Sequence, residues 1–146
     1  MYISTKTYEY AFPCCFRQWR AESHCRFLHG YALTVRVEFA AEYLDELNWV
    51  VDFGGLRTFK NWLTESFDHK LLVAKDDPEI ELIRSLKSVQ AADVIEVPNT
   101  GCEAFAHMIY VGAQTWLFDN GYDSRVHVHR VEVKEHSGNS AIYGNV

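Results

Sequence analysis

No apolar run in this chain approaches the ~20 residues a helix needs to cross a bilayer. The start, Met1 to Tyr10, alternates polar and aromatic and has no basic stretch ahead of an apolar one, so it lacks the pattern of a secretory leader. The expected location is the cytoplasm, with no membrane partner. No C-x-x-C pair exists among Cys14, Cys15, Cys25 and Cys102, and adjacent cysteines make a poor start for a disulfide framework. Free thiols are the expectation. Positive charge is also scarce: 14 Lys and Arg against 20 Asp and Glu leave a net charge of −6, which argues against a general nucleic-acid binder. No repeat, linker or low-complexity tract breaks the chain.

What is there suits one domain spanning 1–146, with 48% apolar residues to build a core. Tyr2, Tyr8, Tyr10 and Phe12 share one parity against Thr5, Thr7 and Glu9. Leu33, Val35, Val37 and Phe39 alternate with Thr34, Arg36 and Glu38. Both segments predict half-buried antiparallel strands. Between them lies a long irregular stretch, Pro13 to Gly30, and long loops in compact domains tend to carry function. Leu56, Phe59, Leu63 and Phe67 at helical spacing predict a helix over about 55–66. Asp77-Pro78 reads as a cap and first turn, with a short helix through Ile80, Ile83 and Leu86. Val94 to Val97 reads as a brief extended segment. Thr100 and Glu103 have the spacing of a capping box, and Phe105, Met108, Ile109 and Trp116 continue one helical face to a stop at Asn120-Gly121. Arg125 to Glu135 alternates again, with His127 and His129 on the parity of Val131, Val133 and Glu135; these histidines read as packed or hydrogen-bonded sheet residues. Two hairpins separated by helices predict an α+β domain.

Three clusters carry reactive side chains: Ser23 to Tyr31, containing His24, Cys25 and His29; Phe67-Asp68-His69; and Val133 to His136, containing Glu135. Together they supply a thiol, an imidazole, a carboxylate to orient it and a second carboxylate. Those are the parts for proton abstraction by an activated thiolate. The imidazole would take the thiol proton, and the aspartate would fix its tautomer.

The order and spacing of Cys25-Arg26-Phe27-Leu28-His29-Gly30-Tyr31, Val51-Asp52-Phe53, Asp68-His69, Asn99-Thr100-Gly101-Cys102-Glu103 and Val133-Lys134-Glu135 resemble the 6-pyruvoyl-tetrahydropterin synthase and 6-carboxytetrahydropterin synthase family over nearly the whole chain. The resemblance implies a tunnelling-type fold, a four-stranded antiparallel sheet with two main helices on one face, assembled as a trimer or hexamer. It implies a pterin-converting lyase acting on 7,8-dihydroneopterin triphosphate or a related pterin, with a lean toward the carboxytetrahydropterin branch that feeds queuosine synthesis. Cys25, Asp68 and His69 match the catalytic residues, and Glu135 the carboxylate that anchors the pterin ring through two parallel N–H bonds. Family sites lie between subunits, so Glu135 and Cys25 are expected to face each other from different chains.

The resemblance also implies zinc held by three histidines, and here the sequence departs from the pattern. Phe16 and Tyr31 stand at two of the three positions, leaving His29, with His24 or Tyr31 as its only nearby partners. A zinc site usually takes three protein ligands and a water, so the family's site is not expected in its usual form. His29 would then bind the substrate side chain as a hydrogen-bond donor, and Arg17, Arg20 and Arg26 are candidates to stabilise a developing oxyanion. Two other readings follow from the damaged site: an aldolase-like cleavage of unphosphorylated dihydroneopterin, and a non-catalytic pterin- or purine-binding protein.

Overall fold

The structure, a computed structural model, describes residues 1–146. Strands β1 (Tyr2–Phe16) and β2 (His29–Ala41) form a long antiparallel hairpin. After a short 3-10 turn at Phe53–Leu56 comes helix α1 (Arg57–Phe67), then β3 (Lys70–Ala74), α2 (Ile80–Ser88), β4 (Asp93–Val97), α3 (Cys102–Asp119), β5 (His127–His136) and β6 (Asn139–Gly144). They build one six-stranded sheet in the order β4-β3-β1-β2-β5-β6.

The sheet corrects the four-stranded antiparallel expectation. Its β1-β2-β5-β6 part is antiparallel throughout, but β3 pairs parallel to β1, and β4 parallel to β3. Lys70–Ala74 was not legible as a strand, because Leu71, Leu72, Val73 and Ala74 are all buried and show no polar alternation. Both faces of β3 are covered, as is usual where strands run parallel. Leu72 enters the main core with α1 and α3, whereas Leu71 and Val73 join Val94 and Ile83 of α2 in a separate cluster. Two helices therefore share the main face, and a third covers the parallel corner.

The main core sits between the sheet and α1 and α3, with Phe12, Phe39, Phe59, Phe67 and Phe105 all essentially inaccessible. Each such ring contributes roughly 1.5–3 kcal/mol by leaving water. Tyr8 pairs with Val35 and Phe12 with Leu33, so β1 carries two residues more than β2 between these pairs. An even excess preserves parity, which is why Phe12, Cys14 and Phe16 face the core as Tyr8 does. The strain falls on Tyr10, which has φ 49° and whose N–H donates to Thr34 Oγ1 at 2.9 Å. In β5 the odd case applies: Val128 pairs with Phe39 and Arg130 with Glu38, leaving His129 as a single extra residue. A one-residue bulge flips the pleat, so Val128 is buried and His127 exposed, against the expected parity.

The helix starts differ from their sequence signatures. Thr100 does not cap α3; its hydroxyl donates to the Arg17 carbonyl at 2.7 Å, and Gly101 at φ 114° occupies the cap position without a side-chain bond. Asp77 does serve the turn before α2, accepting from the Glu79 N–H at 2.8 Å. Gly121, at φ 76°, follows the α3 terminus as expected. No helix is long and apolar enough to cross a membrane.

Candidate active site

A cleft of about 750 Å³ opens where the ends of β1, β2 and β5 meet the start of α3. Phe16, Cys25, His29, Cys102, Glu103, Glu135 and Asn139 are among the 14 residues that line it. Cys25 and Glu135, expected on facing chains, line this one cleft of a single protomer.

Cys25 sits in a 3-10 turn, His24–Arg26, within the loop between β1 and β2. The Ser23 hydroxyl caps the turn by accepting from the Cys25 N–H, and the Cys25 carbonyl accepts from the Gln18 N–H at 2.9 Å. Arg17 braces the same loop. Its Nη1 donates to the Arg26 carbonyl at 3.2 Å, while its Nε and Nη2 bind the two oxygens of buried Asp77 at 2.8 and 2.6 Å. That bidentate pair holds the Asp77 carboxyl below the usual carboxylate range and pushes the Arg17 guanidinium up. Arg20 is likewise engaged by Asp76 at 2.8 Å. Arg17 and Arg20 are thus spent on the loop, and neither lines the cleft.

His29 starts β2 directly opposite Phe16, and Tyr31 lies opposite Cys14. Gly30 separates them for a steric reason: a Cβ there would stand 2.9 Å from the Cys14 carbonyl oxygen. The Phe16, His29 and Tyr31 rings contact one another with centroids 5.3–6.0 Å apart. The three positions expected to bind zinc in the family therefore do converge, but they offer one imidazole, a phenol and an apolar ring. Burial first, then the Glu135 charge, pushes the Tyr31 phenol up and away from the phenolate a metal would need. One imidazole beside a phenol and an apolar ring does not supply the three protein ligands that such an ion usually takes.

Glu135 stands near the end of β5, where its Oε1 accepts from Asn139 Nδ2 at 3.0 Å across the turn into β6. Cys102 and Glu103, which the sequence motif contains without implying a site role, line the cleft as well. The spacing of Glu103 from Thr100 predicts only a helix cap, and the end of the sheet brings it into one cleft with Glu135. Cys102 is pushed up to about 12 by burial and then by the Glu135 and Glu103 charges, so it stays a thiol at neutral pH. The other two cysteines lie outside the cleft, Cys14 in the main core and Cys15 packed against the α2 cluster.

Asp68 and His69 are not in the cleft. They form a local pair, with His69 Nδ1–H donating to Asp68 Oδ1 at 2.7 Å, on a surface that also carries Lys87 and Asp93. His69 is held at φ 59°, and its N–H donates to the Pro13 carbonyl at 2.7 Å, which fixes the backbone and leaves the ring 83% exposed. His24 does not line the cleft either.

A sequence model of the 6-pyruvoyl tetrahydropterin synthase family matches residues 5–145. Over 60 residues the chain is 38% identical to the 6-carboxy-5,6,7,8-tetrahydropterin synthase of Rickettsia conorii and 40% identical to that of Rickettsia bellii. Each match spans 40% of this chain and 44% of the relative. Among solved structures, an uncharacterized protein from Wolinella succinogenes superposes over 100% of both chains with a TM-score of 0.83 at 20% identity. The 6-pyruvoyl tetrahydropterin synthase of Plasmodium falciparum gives a TM-score of 0.68 at 17% identity, over 97% of this chain and 96% of its own. At such identities the likeness is one of fold.

Proposed function

Because the chain belongs to the 6-pyruvoyl tetrahydropterin synthase family, we propose that it is a pterin-converting lyase acting on 7,8-dihydroneopterin triphosphate or a related pterin. The observation that carries this reading is the placement of Cys25, His29 and Glu135 in one cleft. Glu135 receives the 2-amino and ring N–H donors of the pterin edge side by side, which orients the side chain toward Cys25 and His29. The Cys25 sulfur is the proton carrier at the side chain, where hydrogens next to the ring are acidified by the dihydropterin imine.

The Asp68–His69 pair completes the acid–base system from a neighbouring subunit. Its exposure in the single chain and its preformed hydrogen bond suit a group that meets its partner on assembly. Aspartate holds the His69 Nδ1–H, leaving Nε2 to exchange a proton with the Cys25 sulfur. No step is assigned to zinc, because the donor set at Phe16, His29 and Tyr31 does not fit it. The name shared by the rickettsial relatives supports the carboxytetrahydropterin branch; a place in the cytoplasm and in queuosine synthesis is part of the same proposal.

The test is solvent-proton exchange and product formation on dihydropterin substrates followed by mass spectrometry. Wild type should exchange and convert; Cys25→Ala should bind nearly as well and do neither. Turnover by Cys25→Ala at the wild-type rate would remove the thiol from the mechanism.

A further inference from the structure

We infer that the groove between the middle of β1 and the start of α1 is a second binding site, and that its ligand is an organic phosphate monoester. The groove encloses about 450 Å³, within the range of roughly 300–1,000 Å³ usual for small-molecule sites. Lys6 and Tyr8 line it from β1, and Arg57 and Lys60 from α1, so one chain builds it. It shares no residue with the cleft that holds Cys25 and Glu135.

Charge is the first support. The chain has 20 Asp and Glu for 14 Lys and Arg, so a cation has acids to choose from, and most are answered. Arg17 meets Asp77, Lys70 meets Asp93, Arg84 meets Glu96 and Arg130 meets Glu38. Lys6, Arg57 and Lys60 are in no ion pair, and they gather in this one groove. Glu9 is the only carboxylate of the lining, which leaves a surplus of two positive charges. A phosphate monoester carries about −1.5 to −2 at neutral pH.

The second support is the helix. α1 begins at Arg57, directly after Gly54-Gly55-Leu56, with no side-chain cap and no acid in its first turn. Arg57 and Lys60 stand instead at the end where the helix dipole is positive, which costs stability until an anion sits between them. Phosphate oxygens at a helix N-terminus meet backbone N–H groups and the two cations together.

Tyr8 gives a third support that does not depend on charge. It is only 6% exposed, yet its hydroxyl has no hydrogen-bond partner. Burial pushes the phenol up to about 12, so it stays an O–H donor. A buried donor without an acceptor is costly. The Lys6 ammonium lies over the Tyr8 ring, 5.6 Å from its centroid. A phosphate draws that ammonium to itself, opens the way to the hydroxyl and supplies the acceptor. The organic part of the ester has a place as well, since Ala11, Leu56 and the half-exposed Phe53 ring form an apolar side of the groove.

The experiment titrates phenyl phosphate into the whole protein by calorimetry and by thermal shift. One ligand per chain should bind, with benzoate, a monoanion, about tenfold weaker or more. Arg57→Gln combined with Lys60→Gln should weaken phenyl phosphate about tenfold or more. Lys6→Gln, which leaves the helix untouched, should weaken it about three- to tenfold. Tyr8→Phe removes the unpaired hydroxyl; it should raise the thermal midpoint of the free protein and still weaken the ligand about three- to tenfold. Glu135→Gln, in the other cleft, should leave phenyl phosphate affinity unchanged. Absence of binding, undiminished affinity in the Lys6 and Arg57/Lys60 variants, or an affinity that changes with Glu135→Gln overturns the site. Equal binding of benzoate overturns phosphate as the ligand class. A lowered midpoint with undiminished affinity in Tyr8→Phe overturns the role of Tyr8.

Discussion

On the proposed reading, side chains in and around the cleft divide into those that meet the ligand and those that hold the ones that do. Glu135 is proposed for the first group, and Glu135→Gln replaces one acceptor oxygen with a donor and removes the charge. Loss of a charge-assisted bond of roughly 1.5–3 kcal/mol predicts pterin binding weakened about 10–100-fold, read by calorimetry. Unchanged affinity would take Glu135 out of the site. Arg17 belongs to the second group, tying the Cys25 turn to Asp77. Asp77→Asn should cost about 1.5–3 kcal/mol at neutral pH and loosen that turn. The sign of the pH effect follows from the depressed Asp77 carboxyl. Its stabilisation is fully present above the ordinary aspartate value of ~3.9 and is lost as pH falls through the lower folded value. Denaturant midpoints measured below about pH 4 should therefore fall more steeply with acid for wild type than for Asp77→Asn; parallel curves would show that the pair does not couple to folding.

At the scale of elements, the β1–β2 hairpin places the site. Cys14 faces Tyr31 and Phe16 faces His29, and the two strands close tightly only because Gly30 has no side chain. Gly30→Ala sets a methyl against backbone, which cannot swing aside, so a loss of about 1–3 kcal/mol is expected. The same push should displace His29 from the Phe27 carbonyl, visible as a changed imidazole nitrogen pattern by NMR. Wild-type stability together with an unchanged spectrum would show that the hairpin has slack there. Much of this element was readable, since the alternation in Tyr2–Phe12 and Leu33–Phe39 follows from the pleat. Its continuation through Pro13–Phe16 is not, because Pro13 and the adjacent cysteines interrupt the alternation of polar and apolar residues. Nor was the bulge at His129, because a bulge is decided by the partner strand.

The whole molecule leaves two things unfinished in one chain. The sheet has open edges at β4 and β6, and Asp68–His69 stands apart from Cys25. A trimer or hexamer would resolve both, and sedimentation at micromolar concentration should show an assembly rather than a monomer. A sharper test mixes subunits. Cys25→Ala and His69→Ala should each be inactive alone and should regain activity after co-refolding, because some shared sites then combine an intact Cys25 with an intact His69. No recovery in a confirmed mixed assembly would mean that the two residues act within one subunit or not together.

The amino-acid sequence by itself determined the local order: which segments alternate as strands, where α1 and α3 run, and that Gly121 ends the latter. These follow from side-chain chemistry and from spacings within one element. Only the tertiary structure decided what depends on residues far apart in the chain. It made Lys70–Ala74 a parallel strand, since burial on both faces erases the polar alternation that marks a strand. It turned Thr100 from a helix cap into a bond to Arg17, and spent Arg17 on Asp77. It also drew Cys25, His29, Glu103 and Glu135 into one cleft and left Asp68 and His69 on another surface. Those outcomes are set by how strand ends converge in space, which no single stretch of sequence encodes.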